Sequence, residues 1–185
     1  MALFQRDCPQ GIDAGIDILQ KDLFIALVKS NWTDYDSYDR AYRNIRGSDK
    51  IPEVYKGKGE YKEVLINDNE TVTSFFLTDE KRTYDYEKYL WEQNISIIFQ
   101  ANLSKLYPNI VHRADEEMIN TIRLAIKSKY WDNRVTEIIT GFEKVYDSLK
   151  LSYDKKDFTD MGQYSIVRFN FKMTYSNSEK IIFLK

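Results

Sequence analysis

One cysteine and one histidine in 185 residues leave little room for several kinds of chemistry. Cys8 alone cannot make an internal disulfide framework and fits a reducing compartment. Cys8 and His112 lie about a hundred positions apart, and zinc sites need such ligands in clusters. A Ser/His/Asp triad would have to use His112, and no Gly-x-Ser-x-Gly turn presents a serine. Cys8 falls in a Pro/Gly-marked N-terminal stretch, whereas a catalytic thiolate wants a rigid electropositive pocket. His112 reads as an exposed loop or capping residue. Three prolines and seven glycines rule out collagen-like and low-complexity classes. No apolar run approaches 18 residues, so no transmembrane helix is expected. Met1 to Gly11 has neither a basic leader nor an apolar core, and no signal peptide is expected. Basic and acidic residues number 27 and 29, for a net charge of −2, which argues against a general nucleic-acid binder.

Aromatic residues, at 15% of the chain, are plentiful, and the total apolar content supports a folded core. Pro9 and Gly11 mark residues 1–12 as an extended arm. Ile16, Leu19, Leu23, Leu27 and Val28 recur at helical spacing and predict a helix over 13–30, with Asp13 as its cap and Ile12 packing back on the first turn. From Trp32 to Leu103 the pattern predicts strands. A short one is expected near 41–46, a hairpin turns at Lys56-Gly57-Lys58-Gly59, and a further strand covers Thr71–Leu77. A polar stretch, Thr78–Lys88, separates this from a strand in which Trp91, Ile95, Ile97, Phe99, Ala101 and Leu103 share one parity. Ile98 is the exception on the polar side. That alternation predicts one covered face and one open to water or a neighbour.

A second helix is expected over 114–127, with Met118, Ile122 and Ile126 on its apolar stripe and Asp115, Glu116 and Glu117 in its first turn. Val135–Thr140 reads as a strand, Glu143–Leu149 as a short helix, and Val167–Tyr175 as a strictly alternating strand. The fold class is therefore α+β, a mostly antiparallel sheet with the two main helices packed on one face. Residues 13–175 form a single domain, and 176–185 a tail ending in the apolar Ile181–Leu184.

Catalytic inventory is thin. Glu116-Glu117 and Asp79-Glu80 are adjacent pairs, whereas a glycosidase or two-metal site needs carboxylates converging from different elements. Gly57-Lys58-Gly59 lacks the spacing of a phosphate loop and has no following helix. Neither cofactor nor metal is expected. Tyrosine is what stands out: 14 in all, many between Trp32 and Tyr89. Tyrosine is enriched at protein interfaces and equally suits half-buried strand positions; RNA stacking on the rings would need a basic surround that the net charge does not supply. Three functional classes stay open on the residues: a self-assembling structural protein, an adaptor that binds a protein partner through a tyrosine-rich strand face, and a metal-dependent enzyme using scattered carboxylates such as Glu116 and Glu117.

Three segments carry a resemblance: Cys8-Pro9-Gln10-Gly11-Ile12-Asp13; Ile51-Pro52-Glu53-Val54-Tyr55 with Gly59-Glu60-Tyr61-Lys62-Glu63-Val64; and Thr73-Ser74-Phe75-Phe76. They resemble small virion proteins encoded among the head–tail genes of phages of Bacteroides-type bacteria, including crAss-like phages. The order of predicted elements is similar to the tail-terminator and neck-ring class, α+β subunits assembled as rings around the DNA channel. The resemblance spans most of residues 1–175 and leaves the apolar tail unmatched. It implies a non-enzymatic virion protein, assembled in the host bacterial cytoplasm, that forms a homo-oligomeric ring of about twelve or six subunits. Its partners would be further copies of itself and neighbouring neck, portal or tail proteins. Packaged DNA would pass nearby without sequence-specific binding, and no membrane would be involved. Candidate interface residues are Phe4 and Ile12 in and beside the arm, Lys56, Lys58 and Tyr61 on the hairpin, Tyr84 and Tyr86 in the polar stretch, and Phe183 in the tail.

Overall fold

Two runs of alternating apolar residues, around Ile97 and around Phe169, lie side by side in the middle of one sheet. A computed structural model describes residues 1–67, 69–111, 113–152 and 162–176. Its elements, in chain order, are β1 (Ala2–Phe4), α1 (Ile12–Lys29), β2 (Tyr35–Arg46), β3 (Asp49–Gly57), β4 (Glu60–Glu63), β5 (Val72–Asp85) and β6 (Leu90–Asn102). There follow α2 (Leu103–Leu106), α3 (Asp115–Ser128), a 3₁₀ turn (Asp132–Arg134), β7 (Val135–Thr140), α4 (Phe142–Leu149) and β8 (Tyr164–Tyr175). The strands run in the order β4-β3-β2-β5-β6-β8-β7, with β1 also against β2. β6 and β8 pair antiparallel from Trp91↔Tyr175 to Asn102↔Tyr164. The sheet is mostly antiparallel but mixed, because β1 and β5 both run parallel to β2.

The class is α+β as the sequence predicts, and α1 and α3 share one face. There Leu19 and Leu23 of α1 and Met118 and Ile122 of α3 pack on Ile95, Ile97, Phe99 and Phe169. The expectation of a single covered face does not hold. On the opposite face Phe142, Val145, Tyr146 and Leu149 of α4 pack on Phe75, Leu77, Ile98 and Ile166. From Ile95 to Asn102 every residue of β6 is buried, so Ile98 is the core of the second layer and no anomaly. Polar residues on that parity survive burial by being bonded. Gln100 Nε2 donates to Val64 O at 2.9 Å and Thr73 Oγ1 at 3.1 Å, and its Oε1 accepts from Tyr146 Oη at 2.7 Å and Ile66 N at 3.2 Å. All four hydrogen-bonding positions of the amide are filled.

Three boundaries differ from the sequence reading. The strand expected near 41–46 begins at Tyr35, where Ser37 and Ser74 are buried and bonded to each other, with Tyr35 Oη on Ser74 Oγ. The polar stretch Thr78–Lys88 is no separator: β5 runs through it to Asp85 and pairs with β6, after an irregularity between Thr78 and Arg82. α1 starts at Ile12 with Gly11 as its cap residue at φ 57°, and no side chain caps it. Asp13 is instead drawn to the arginines Arg6 and Arg40. α2, unexpected, is capped by Asn102 Oδ1, which accepts from Lys105 N at 3.2 Å. His112 and the apolar Ile181–Leu184 lie outside the described residues.

Candidate interaction site

The edge of β2 that faces away from β5 serves two strands. β1 takes Asp36–Tyr38 and β3 takes Ala41–Arg46, which leaves Asp39 and Arg40 between the two partners. β1 leaves the sheet there toward α1, and β3 leaves it toward the hairpin turn. A cleft of about 470 Å³ opens at this junction, its walls including Phe4, Arg6, Asp39, Tyr42, Tyr55 and Lys56.

Ion pairing organises its floor. Arg6 Nε donates to Asp39 Oδ2 at 3.0 Å, its Nη1 to Asp13 Oδ2 and to Tyr42 Oη, each at 2.9 Å, and its Nη2 to Arg40 O at 3.2 Å. Arg40 Nε lies 3.0 Å from Asp13 Oδ1, and Arg40 Nη2 donates to Tyr42 Oη at 2.8 Å. Burial alone would lower the Arg6 pKa, but Tyr42, Asp13 and Asp39 together raise it. At Asp39 burial outweighs the pull of Arg6, so its carboxyl titrates above the usual aspartate range. The two shifts differ because the carboxylate has one strong donor and the guanidinium has four acceptors. With Gln20 Nε2 donating to Phe4 O at 3.1 Å and to Ser37 O at 3.0 Å, this network ties residues 2–12 to their own sheet. Within the arm, Ala2–Phe4 are a strand paired with β2.

Beside the cleft, on the face of the sheet that carries Val54, sit rings and cations. Phe4 stacks on Tyr38 with centroids 4.7 Å apart and planes within 3°. Lys56 Nζ lies 4.4 Å from the Phe4 ring centre and Lys62 Nζ 4.7 Å from that of Tyr38. Such contacts contribute roughly 0.5–1 kcal/mol each at exposed sites. Lys62 Nζ donates to Tyr38 Oη at 2.6 Å. Burial raises the Tyr38 phenol while Lys62 pulls it down; burial, and then the charge of Lys62, lower Lys56. On the outer side of the hairpin Tyr61 meets Tyr55 at 5.3 Å and Tyr42 at 6.3 Å. Donors, rings and a shaped gap are the makings of a recognition surface.

Of the residues singled out from sequence, Phe4 and Lys56 line the cleft, and Tyr61 packs beside it on Tyr42 and Tyr55. Ile12 does not: at 7% exposure it belongs to the core under α1. Lys58 stands exposed at the hairpin turn, with φ 53° between Gly57 and Gly59, both also at positive φ. Tyr84 and Tyr86 are elsewhere, at the β5–β6 turn, where Tyr84 packs on Tyr86 and on Trp91, each at 4.8 Å. Phe183 lies outside the described residues. Sequence reasoning missed Arg6 and Arg40; the signal present was the alternation Tyr38, Arg40, Tyr42. Cys8 is exposed and unpaired.

Among the described residues no group of three or more His, Cys, Asp or Glu side chains is arranged to hold a metal ion, and no described helix is long and apolar enough to cross a membrane. No protein-family model matches the chain, and no curated protein matches it.

Proposed function

We propose that this chain is a non-enzymatic structural protein of a tailed-phage virion, forming a ring at the neck or head-proximal tail that joins head to tail around the DNA channel. Its resemblance to small head–tail proteins, through the arm, the β3–β4 hairpin and the start of β5, is the starting point. The observation that carries the reading further is the position of two aromatic-bearing turns. β5 runs parallel to β2 and β3 runs antiparallel to it. The β3–β4 turn with Tyr55 and Tyr61 therefore lies at one end of the strands, and the β5–β6 turn with Tyr84 and Tyr86 at the other. Two unlike patches at opposite ends of one subunit suit a heterologous contact, and repeating such a contact closes a ring where the rotation allows. Partners in this reading are further copies of the chain and adjoining neck, portal or tail proteins, and the site of action is the virion.

Native mass spectrometry of the purified chain, together with electron microscopy of virions, tests the proposal. The expected result is a closed multimer, or many copies at the neck of a particle. A monomer at high concentration that is absent from particles overturns it. The cluster of Tyr42, Tyr55 and Tyr61 favours a second reading, an adaptor that binds another protein through this face without ring assembly; a one-to-one complex with a virion or host protein would be its signature.

A further inference from the structure

The two margins of the sheet differ in how they are protected. β4, at one margin, is four exposed residues, Glu60–Glu63, three of them charged, and charges blunt an edge against pairing with other chains. β7, at the other margin, is Val-Thr-Glu-Ile-Ile-Thr, with five β-branched residues and one charge. After an irregularity at its start it pairs regularly with β8 from Glu137↔Asn170 to Thr140↔Val167. Its outer backbone groups have no strand partner among the described residues. Helix α3 flanks this open edge, and between them runs a groove of about 520 Å³ whose lining includes Arg123, Leu124, Lys127, Val135, Ile138 and Phe169. Leu124 and Ile138 are 58% and 40% exposed, and neither Arg123 nor Lys127 meets a carboxylate at ion-pair distance among the described residues. An open edge offers main-chain bonds to an added strand, and an apolar, cationic groove beside it takes alternate side chains of that strand.

We infer that this edge receives residues 179–184 of a second copy of the chain, added to β7 as a further strand. β8 ends at Tyr175, and residues 177–185 lie outside the described ones. Among them Ile181-Ile182-Phe183-Leu184 is an apolar run of the kind that suits a strand covered on both faces, and it is as long as the regular part of β7. The two faces also match in charge. On β7, Ile138 lies opposite Phe169 on the α3 side, and Glu137 lies on the other side, where Asn170 Nδ2 donates to it at 2.8 Å. In an extended tail Glu179, Ile181 and Phe183 share one face, and Lys180, Ile182 and Leu184 the other. With the first set on the α3 side, Glu179 is drawn to Arg123 and Lys127 while Ile181 and Phe183 cover Leu124 and Ile138; Lys180 then falls on the side of Glu137. The reverse setting would put Lys180 against two cations. The donor is a second copy because β8 runs on past Val135, which pairs with Phe171, at the end where residues 129–134 lead from α3 into β7. A tail returning to its own β7 would have to cross that connection, and connections at one edge of a sheet do not cross. Ring assembly supplies the second copy, and to that extent the contact rests on the ring reading; the tail is the segment that one copy gives to the next.

The test is cross-linking of full-length chains, all carrying Cys8→Ser, with a short bismaleimide. Lys185→Cys keeps every apolar residue of the tail, shares the parity of Phe183, and marks the donor. Asn120→Cys and Leu124→Cys, one helical turn apart, mark the groove in turn; Lys58→Cys on the β3–β4 turn is the control. Mixing K185C chains with N120C or L124C chains is expected to give a covalent heterodimer at least about tenfold faster than mixing them with K58C chains, and Ile181→Ser/Phe183→Ser in the donor is expected to remove that excess. Yields equal to the control, or unchanged by I181S/F183S, would overturn the inference. So would a link within a single chain carrying both K185C and L124C that forms faster than the link between chains. L124C chains that join one another faster than they join K185C would assign the edge to a second β7 instead and overturn it equally. Native mass spectrometry of the same preparations before cross-linking reads the ring separately. Specific links without a closed multimer would keep the tail contact and sink the ring, and a closed multimer without specific links would do the reverse.

Discussion

Tyr35 is fully buried between α1 and the sheet, yet it keeps a hydroxyl, joined to Ser74 Oγ at 2.7 Å. Burial pushes its phenol up to about 12, against the hydrogen bonds from Ser37 and Ser74, which favour the ionised form. The sign of the consequence follows from linkage. Below pH 10 the phenol is neutral in both the folded and the unfolded chain, and stability is unaffected. Between about 10 and 12 the unfolded chain gives up the proton and the folded one holds it, so stability falls as pH rises, by about 2 kcal/mol over the window. Tyr35→Phe removes that window. Urea midpoints measured from pH 9 upward are expected to fall more steeply for the wild type than for Y35F. At pH 7 Y35F costs about 1 kcal/mol, because Ser37 and Ser74 still bond each other at 3.2 Å. Parallel alkaline losses in the two proteins would mean that Tyr35 ionises as freely folded as unfolded. Gln100 makes the complementary point: a buried amide with four partners is a tie between β6, β5, α4 and the segment at Val64–Ile66, and removing the amide deprives all four of this bond.

Elements with a single apolar stripe are the ones a sequence announces. α1 and α3 are legible to within a few residues because one face of each is buried and the other is polar; β8 is legible from its alternating second half although its first half is buried on both faces, and β7 from its β-branched residues although none of them is fully buried. β2 was read short because its first half is Tyr-Asp-Ser-Tyr, whose burial depends on serine hydroxyls meeting across strands. The far half of β5 was read as a linker because an exposed ladder needs no apolar residues. The second layer was hidden because α4 is only eight residues long, too short for its stripe to say which face of the sheet it covers. The cleft is legible where it lies beside a turn, at Lys56, and illegible where it depends on Arg6 and Arg40 meeting acids from α1 and β2. Gly15 tests how closely these layers fit. A methyl group added there would fall on Met173 Sδ, and Met173, at 2% exposure, would have to repack inside the core. Helix propensity favours Gly15→Ala by up to about 1 kcal/mol, but overpacking costs about 1–3 kcal/mol, so net destabilisation is expected. In a denaturation double-mutant cycle Met173→Ala alone costs about 2–4 kcal/mol, and the pair costs less than the sum. Stabilisation by G15A would mean that α1 and β8 are not in tight contact at this point.

At the scale of the whole molecule, the ring proposal asks which end of the sheet would carry the subunit contact. The β5–β6 turn is held rigidly. Asp85 Oδ1 accepts from Glu87 N at 3.0 Å and Lys88 N at 3.1 Å; the bond from Lys88 N, the larger cause, and that from Glu87 hold its carboxyl below the usual range. Tyr89 takes φ 57° to close the turn. This presents Tyr86 and Tyr89 at 80% and 74% exposure, beside Arg82, whose guanidinium lies 4.7 Å from the Trp91 ring centre. Fixed rings lose little conformational freedom on docking, which is what an assembly contact requires. If the chain assembles as a ring, Tyr86→Ser/Tyr89→Ser is expected to lower the multimer fraction at least tenfold, equivalent to about 1.4 kcal/mol per contact. The thermal midpoint of the isolated subunit should stay within the range of a surface substitution, about 0.5 kcal/mol. Native mass spectra and melting curves of the same preparations separate the two effects. Multimers that survive the double change would move the proposed subunit contact to the β3–β4 end, where Tyr55 and Tyr61 lie.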